Sequence, residues 1–179
     1  MRAIAKAPRP VPPSEEFPMR IVAEPLTGDA FKPFGAVLEG STVPGRTYLS
    51  DTLANGRPHA PMSPAVATVE PKATFPMRVT VLERHEHSSQ TFIPLAVSRY
   101  VVLAALDAPG GGPDLGRLRA FVARAGQGVT YAMGTWHHPL TVLDGPASFA
   151  VLMWRDGTAG DEEFVPVDAP LTIVLPEGP

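Results

Sequence analysis

Helix-breaking residues occur along the whole chain, and they limit its fold more than any other feature of the sequence. The 179 residues include 22 prolines and 16 glycines, and a proline inside a helix costs about 3 kcal/mol. A helical bundle or a coiled coil is therefore excluded. Short apolar segments follow one another between turn residues from Val66 to Leu175. This pattern predicts an all-β domain, either a sandwich or a barrel.

The first 18 residues differ from the rest of the chain. They are rich in proline, lack apolar periodicity and lack the apolar core of a secretory signal. We therefore expect residues 1–18 to be a flexible extension and residues 19–179 to form one domain. The chain contains no cysteine, which suits a reducing compartment, and we expect a cytoplasmic protein.

Charge and hydropathy restrict the partners. The formal net charge is −3, and no dense block of lysine and arginine is present, so we expect no nucleic-acid partner. The longest apolar run, Tyr100 to Leu106, is far shorter than the roughly 20 residues that span a bilayer. We expect no membrane partner, and a small molecule is the default ligand.

The segment that ends in His85-Glu86-His87 carries the clearest chemical signal. If it is one strand, alternation places apolar and metal-ligating side chains on the same face: Val79, Val81, Glu83, His85 and His87. Two imidazoles and a carboxylate are costly to bury beside valines unless something satisfies them, and a divalent cation satisfies all three. The alternative is a hydrogen-bonded pair of surface histidines, which is the commoner origin of an isolated His-x-His.

Further ligands could come from two places. Gln90 has the wrong parity for that face, so Ser88-Ser89 must turn the chain if Gln90 is to reach the same ion. His137 and His138 are adjacent, so only one of them can face the first pair. Four of the five histidines thus fall in two short segments, which favours a metal site. The fifth, His59, is expected to be exposed.

Several other side chains could act at such a site. Glu83 could be a ligand, an orienting partner of a histidine, a general base or only a structural ion-pair partner. Aromatic and sulfur side chains could line the cavity or simply belong to the core: Tyr131, Met133 and Trp136. Three arginines could bind a substrate carboxylate or be solvated charges: Arg84, Arg119 and Arg124. Alternation disfavours Arg84. The chain has no phosphate-binding loop and no serine-hydrolase motif.

These motifs resemble those of a known family. His85-Glu86-His87 with Gln90, followed by the segment from Gly126 to His137, is similar to the two motifs of the cupin superfamily. More specific strings resemble the ureidoglycolate lyase family, which acts in allantoin and purine degradation: Leu82-Glu83-Arg84-His85, Ser89-Gln90-Thr91-Phe92-Ile93-Pro94 and Trp136-His137-His138-Pro139-Leu140. The resemblance extends from about Met19 to Val165. It implies a cupin-type double-stranded β-helix barrel with one or two short helices.

The resemblance also implies an activity, a cofactor and an assembly. The reaction is cleavage of ureidoglycolate to glyoxylate and urea, and the protein is expected to be a homodimer. The implied metal ligands are His85, His87, Gln90 and His137, with nickel favoured and zinc, iron or manganese also compatible with these donors. Some members lack the second histidine, at position 87.

The catalytic roles are hypotheses that follow from proximity to these ligands. Glu83 or a metal-bound hydroxide would remove the hydroxyl proton, and Tyr131 or His138 would protonate the leaving nitrogen. The substrate-binding candidates are Arg84, Arg119 and Trp136. Two alternatives stay open: another metal-dependent cupin enzyme, such as an isomerase or a dioxygenase on a small carboxylic acid, and a non-catalytic cupin that binds a small ligand.

Overall fold

The computed structural model describes residues 19–177, so the extension predicted for residues 1–18 lies outside the described residues. The described chain consists of short strands, one α-helical turn and two 3₁₀ turns at Leu115–Arg117 and Ala159–Asp161. In chain order the elements are β1 (Met19–Val22), β2 (Glu24–Pro25), α1 (Gly28–Phe31), β3 (Gly35–Glu39), β4 (Ala65–Val69), β5 (Met77–Arg78), β6 (Val81–Arg84), β7 (Gln90–Ala96), β8 (Arg99–Ala105), β9 (Arg119–Arg124), β10 (Gln127–Tyr131), β11 (Trp136–His137), β12 (Thr141–Val142), β13 (Ala147–Leu152), β14 (Glu163–Pro166) and β15 (Leu171–Val174).

Two large sheets face each other and enclose the main core. One sheet has the order β3-β10-β7-β13-β4, and the other has the order β14-β6-β11-β8-β9-β2, with β12 also paired to β8. Aromatic side chains from both sheets and from α1 meet between them: Phe31, Phe92, Tyr100, Phe121, Tyr131 and Phe149. The protein is therefore all-β with a cupin-type barrel, and the predicted fold class is confirmed.

Strand β8 shows why the apolar run near residue 100 is continuous. Tyr100 and Val102 face the core between the two large sheets, whereas Val101 and Leu103 face a second core. A third sheet, of order β1-β15-β5, contributes Met77 and other apolar side chains to this second core. A strand that is buried on both faces has no polar alternation. No helix among residues 19–177 is long and apolar enough to cross a membrane.

The segment that ends in His85-Glu86-His87, which the alternation treats as one strand, is interrupted. Strand β6 ends at Arg84, and residues 85–89 turn before β7 begins at Gln90. Hydroxyl groups hold this turn: the Ser88 hydroxyl accepts from the Trp154 amide at 2.9 Å, and the Ser89 hydroxyl accepts from the Ala54 amide at 2.9 Å. The turn brings the end of β6 and the start of β7 to the same end of the barrel.

Candidate metal centre

Three ligand-type side chains meet at this end of the barrel. Glu83 is the third residue of β6, His85 lies just after that strand, and His137 pairs with Glu83 across β11 and β6. One ligand atom from each of the three lies within 4.8 Å of the others. The rings of His85 and His137 are 5.4 Å apart, and both residues are buried. This geometry is compatible with a small cation at this end of the barrel.

The outer nitrogen of each imidazole is fixed by a main-chain carbonyl. His85 Nδ1 lies 2.8 Å from the Asp161 carbonyl oxygen, and His137 Nδ1 lies 2.9 Å from the Thr135 carbonyl oxygen. A carbonyl oxygen can only accept, so Nδ1 carries the proton in both rings. In a neutral ring the lone pair is then on Nε2. His85 Nε2 is buried and has no hydrogen-bond partner, as expected of a nitrogen that is prepared to bind a metal.

His137 Nε2 faces two oxygen atoms. Gln90 Oε1 lies 3.0 Å away and Glu83 Oε1 lies 3.4 Å away. In a neutral His137 with its proton on Nδ1, this would place a lone pair against two acceptors. A metal ion bound among these atoms would satisfy the nitrogen and both oxygens. Two imidazole nitrogens, an amide oxygen and a carboxylate are suitable donors for a divalent transition metal.

The surroundings also set the protonation states. Burial by itself raises the pKa of Glu83, but the hydrogen bond with His137 and the charges of His137 and His85 outweigh it, so the pKa lies below its ordinary value. Burial lowers the pKa of His85. Burial raises the pKa of Tyr131 well above its usual range. Near neutral pH the site thus combines an ionised carboxylate with a protonated phenol.

The structure brings Gln90 and Tyr131 to the same group. Gln90 opens β7, and Tyr131 ends β10 directly opposite Gln90 in the sheet. The Tyr131 ring stacks on His137 with the centroids 4.1 Å apart. Met153 contacts the Gln90 amide nitrogen at 3.7 Å through its sulfur, so the amide oxygen faces His137.

His87 lies outside this group. It is half-buried in the turn after β6, and its ring lies beside Gly160. The expected alternation of His85 and His87 on one strand face does not hold, because β6 has already ended at Arg84.

Three predicted substrate-binding residues are engaged elsewhere in the protein. Arg84 pairs with Asp107 and Glu163 and covers the Trp136 ring, whose indole N–H donates to Asp107 at 2.7 Å. Arg119 lies in the same cross-strand row as His137, two strands away, but its guanidinium binds the Glu24 carboxylate and the Ala30 carbonyl. The structure brings none of the three to the Glu83–His85–His137 group.

His138 also lies apart from the group. Its Nδ1 is 3.1 Å from the Thr141 hydroxyl, and burial lowers its pKa. The residue lines a separate cavity of about 500 Å³, together with Arg78, Leu140 and other residues. His59 is exposed, as predicted, and lies 3.3 Å from Asp156.

Sequence reasoning missed the groups that orient the two imidazoles. The Asp161 and Thr135 carbonyls do so through the main chain, which every residue type carries. Asp161 has a buried carboxylate that interacts with Arg57 but lies outside the motifs, and Thr135 lies within the second motif but not at one of its characteristic positions.

The fold and the site together define a class. The class is a small all-β barrel protein with a candidate metal site at one end, formed by two buried imidazoles, a carboxylate and an amide oxygen. Sequence comparison gives the family within this class. A family model described as "Ureidoglycolate lyase" matches residues 18–174, and the chain belongs to the ureidoglycolate lyase family.

Curated relatives match over most of their length. The ureidoglycolate lyase of Burkholderia cepacia is 41% identical, and the match covers 81% of this chain and 85% of the relative. The ureidoglycolate lyase of Burkholderia mallei (strain NCTC 10229) is 39% identical, with 83% and 91% covered. The ureidoglycolate lyase of Schizosaccharomyces pombe is 29% identical, with 87% and 96% covered.

Solved structures match more weakly. A dTDP sugar isomerase from Desulfovibrio desulfuricans G20 is 20% identical at a TM-score of 0.48, with 75% of this chain and 85% of that chain covered. An oxalate decarboxylase from Lactobacillus farciminis is 13% identical at a TM-score of 0.41, with 64% and 30% covered.

Proposed function

We propose that this protein cleaves ureidoglycolate to glyoxylate and urea at the end of the barrel where Glu83, His85 and His137 meet. Membership in the ureidoglycolate lyase family supports this reaction. The observation that carries the proposal is the buried, unpartnered Nε2 of His85 beside an ionisable carboxylate.

The donor set fits a divalent metal ion, and we propose nickel on the basis of the family resemblance. His85, Gln90 and His137 would hold the ion, and three protein ligands leave positions for a chelating substrate. When bound, the ion supplies Lewis acidity, which lowers the pKa of the substrate hydroxyl and fixes its geometry. His87 is left out of the proposed ligand set because it lies in the turn beside Gly160.

The reaction needs one base and one acid. The Glu83 carboxylate takes the proton from the substrate hydroxyl, and that oxygen forms a carbonyl with its carbon. The bond from this carbon to the ureido nitrogen breaks, and the nitrogen keeps the electron pair. The nitrogen takes a proton from Tyr131, which regains one from Glu83. One proton moves from oxygen to nitrogen, so no water and no oxidant is consumed.

Tyr131 is a better candidate for the acid than His138. The phenol ring stacks on His137, and Tyr131 lies directly opposite Gln90 in the sheet. His138 interacts with its neighbours Pro139 and Thr141 and lines a different cavity.

The direct test is a product assay with ureidoglycolate. We expect the nickel-loaded protein to release urea and glyoxylate in equal amounts, and His137→Ala to lose this activity. Asp144→Ala, which removes a surface ion pair with Arg99, is the matched control and should keep it. An isomerase would give a product of unchanged mass, a dioxygenase would consume oxygen, and a binding module would give no product. Each of these three results would overturn the proposal.

We also propose that the protein is a cytoplasmic homodimer. The absence of cysteine supports the location. An exposed apolar face on the outside of the five-stranded sheet supports the dimer. We call it the apolar face, and it consists of Val66, Ile93 and Leu95, which are 70%, 36% and 58% exposed.

A further inference from the structure

The buried carboxylate of Asp161 has no role in the chemistry proposed above. It ends the 3₁₀ turn Ala159–Asp161, and its side chain is 2% exposed. The carboxylate accepts hydrogen bonds from the Asp156 amide at 3.1 Å and the Gly157 amide at 2.8 Å, and it pairs with the Arg57 guanidinium. Three residues, Arg57, Asp156 and Gly157, are thereby fixed around one negative charge.

Asp161 also contacts the site through its main chain. Its carbonyl oxygen accepts the Nδ1 proton of His85 at 2.8 Å. The side chain and the carbonyl share one Cα, so the carboxylate that closes the 156–161 loop also holds the carbonyl at a fixed place beside the imidazole. A shift of this carbonyl would remove the partner that selects the Nδ1–H tautomer.

Arg57 connects this loop with the turn that contains His85. Its guanidinium lies between Asp156, at 2.8 Å, and Asp161. The adjacent Gly56 amide donates to the His87 carbonyl at 2.8 Å. The guanidinium binds two carboxylates of the protein itself, which is the pattern of a structural clamp and not of an open substrate-binding arginine.

We propose that Asp161, locked by Arg57, is a positioning residue that fixes the tautomer and orientation of His85 so that Nε2 faces the metal. This inference rests on the proposed metal site. Asp161 acts through the main chain and not by contact with the metal or the substrate. Replacing its side chain should therefore change a histidine that it touches only through its carbonyl.

The first measurement uses the metal-free protein. Long-range ¹H–¹⁵N correlation spectra of histidine-labelled protein report which ring nitrogen carries the proton. In the wild type we expect the Nδ1–H tautomer for His85 and a proton on Nδ1 of His137. In Asp161→Ala, His85 should become a mixture of tautomers, whereas His137, which is held by Thr135, should not change. Asp144→Ala removes a carboxylate that makes two bonds to Arg99 and should leave both histidines unchanged.

The second measurement is the affinity for Ni²⁺, determined by competition with a chelator. We expect a loss of about 10- to 100-fold in Asp161→Ala, the usual effect of removing an orienting partner of a metal ligand, and none in Asp144→Ala. If Asp161→Ala does not fold, the same measurements are made on Asp161→Asn and Arg57→Ala.

The outcomes separate this inference from the metal site itself. If the wild type binds Ni²⁺ and the Asp161 variants bind it equally well with His85 still in a single tautomer, the positioning role is wrong. If the wild type binds no Ni²⁺, the metal site is wrong, and the His85 tautomer in the variants still decides whether Asp161 positions the ring.

Discussion

At the scale of single residues, the four described histidines of the two motifs differ in what their Nδ1 atoms contact. His85 and His137 each donate from Nδ1 to a carbonyl, which leaves Nε2 available inside the barrel. His138 interacts through Nδ1 with its neighbours Pro139 and Thr141, and His87 lies in a turn. A histidine's capacity to bind metal therefore depends on a contact that its own sequence position does not reveal.

The hydroxyl of Tyr131 can be tested apart from its ring. Tyr131→Phe keeps the stack on His137, so we expect metal content to be unchanged while kcat falls by about 10²- to 10⁴-fold, the usual contribution of a general acid. Glu83→Gln should lower kcat similarly. The control is Tyr100→Phe, which removes another buried hydroxyl, donated to the Gln127 carbonyl, and should leave kcat unchanged. Steady-state release of glyoxylate measures all three, and unchanged turnover in both site variants would reject the assigned roles.

Asp161 should make the stability of the protein sensitive to acid. Burial raises the pKa of the Asp161 carboxyl, but the hydrogen bonds from Arg57 and from the Asp156 and Gly157 amides lower it by more. The folded-state pKa therefore lies below the ordinary value. Because the pKa is lower in the folded state, the ionised carboxylate stabilises the fold at pH values above the unfolded-state pKa of about 3.9. This stabilisation is lost as the pH falls through the folded-state pKa. Asp161→Asn should unfold at lower urea than the wild type at pH 7, and the two curves should converge in acid. A constant difference at all pH values would contradict this.

At the scale of elements, regular and doubly buried segments were predictable from the sequence. Strand β8 is found at Arg99–Ala105 and contains most of the apolar run Tyr100 to Leu106, because such a run fits a strand with two buried faces. Strands β3 and β14 were not predicted. Gly35 and Glu163 begin them, and glycine or acidic residues resemble turn chemistry until partner strands are known.

The site was predictable where it depends on residue type. The motifs named Glu83, His85, Gln90 and His137, and the structure brings them together. The strand alternation that included His87 was wrong, because hydroxyl groups of Ser88 and Ser89 bind distant backbone and turn the chain early. Contacts of this kind join residues far apart in sequence, so the local pattern of polar and apolar residues does not predict them.

Gly35 is the most constrained glycine at the barrel end. Its φ is +149°, and a Cβ at this position would overlap the main-chain oxygen of Thr130 in β10. Gly35→Ala should destabilise the fold by about 2–4 kcal/mol in urea denaturation. Gly40→Ala is the control, because a Cβ there meets nothing within 4 Å, and it should change stability by less than about 0.5 kcal/mol. Equal stabilities of the two variants would contradict the close approach of β3 and β10.

At the scale of the whole molecule, the two faces of the five-stranded sheet have different roles. The inner face supplies Phe92, Tyr131 and Phe149 to the core and Gln90 to the site. On the outer face, Ile93 and Val66 lie on either side of Ala150 across three strands. Exposed apolar side chains in one such row are typical of a surface that another protein covers.

A charged substitution in the apolar face should dissociate the proposed dimer. We expect the wild type to be a dimer in light scattering after size-exclusion chromatography, and Leu95→Glu to be a monomer because a charge would be buried at the contact. Val22→Glu changes a residue of similar exposure, 55% against 58% for Leu95, in the three-stranded sheet and should stay dimeric. A monomeric wild type, or a dimeric Leu95→Glu, would contradict the proposed dimer.

We propose that His85 and His137 bind one metal ion together, and a crystal structure of the nickel-loaded protein with data at the nickel absorption edge tests this most directly. We predict a single anomalous peak about 2.0–2.1 Å from Nε2 of both histidines, with Gln90 and Glu83 beside it and His87 outside contact. A peak bound through His87 without His137, or no peak at this end of the barrel, would contradict the account.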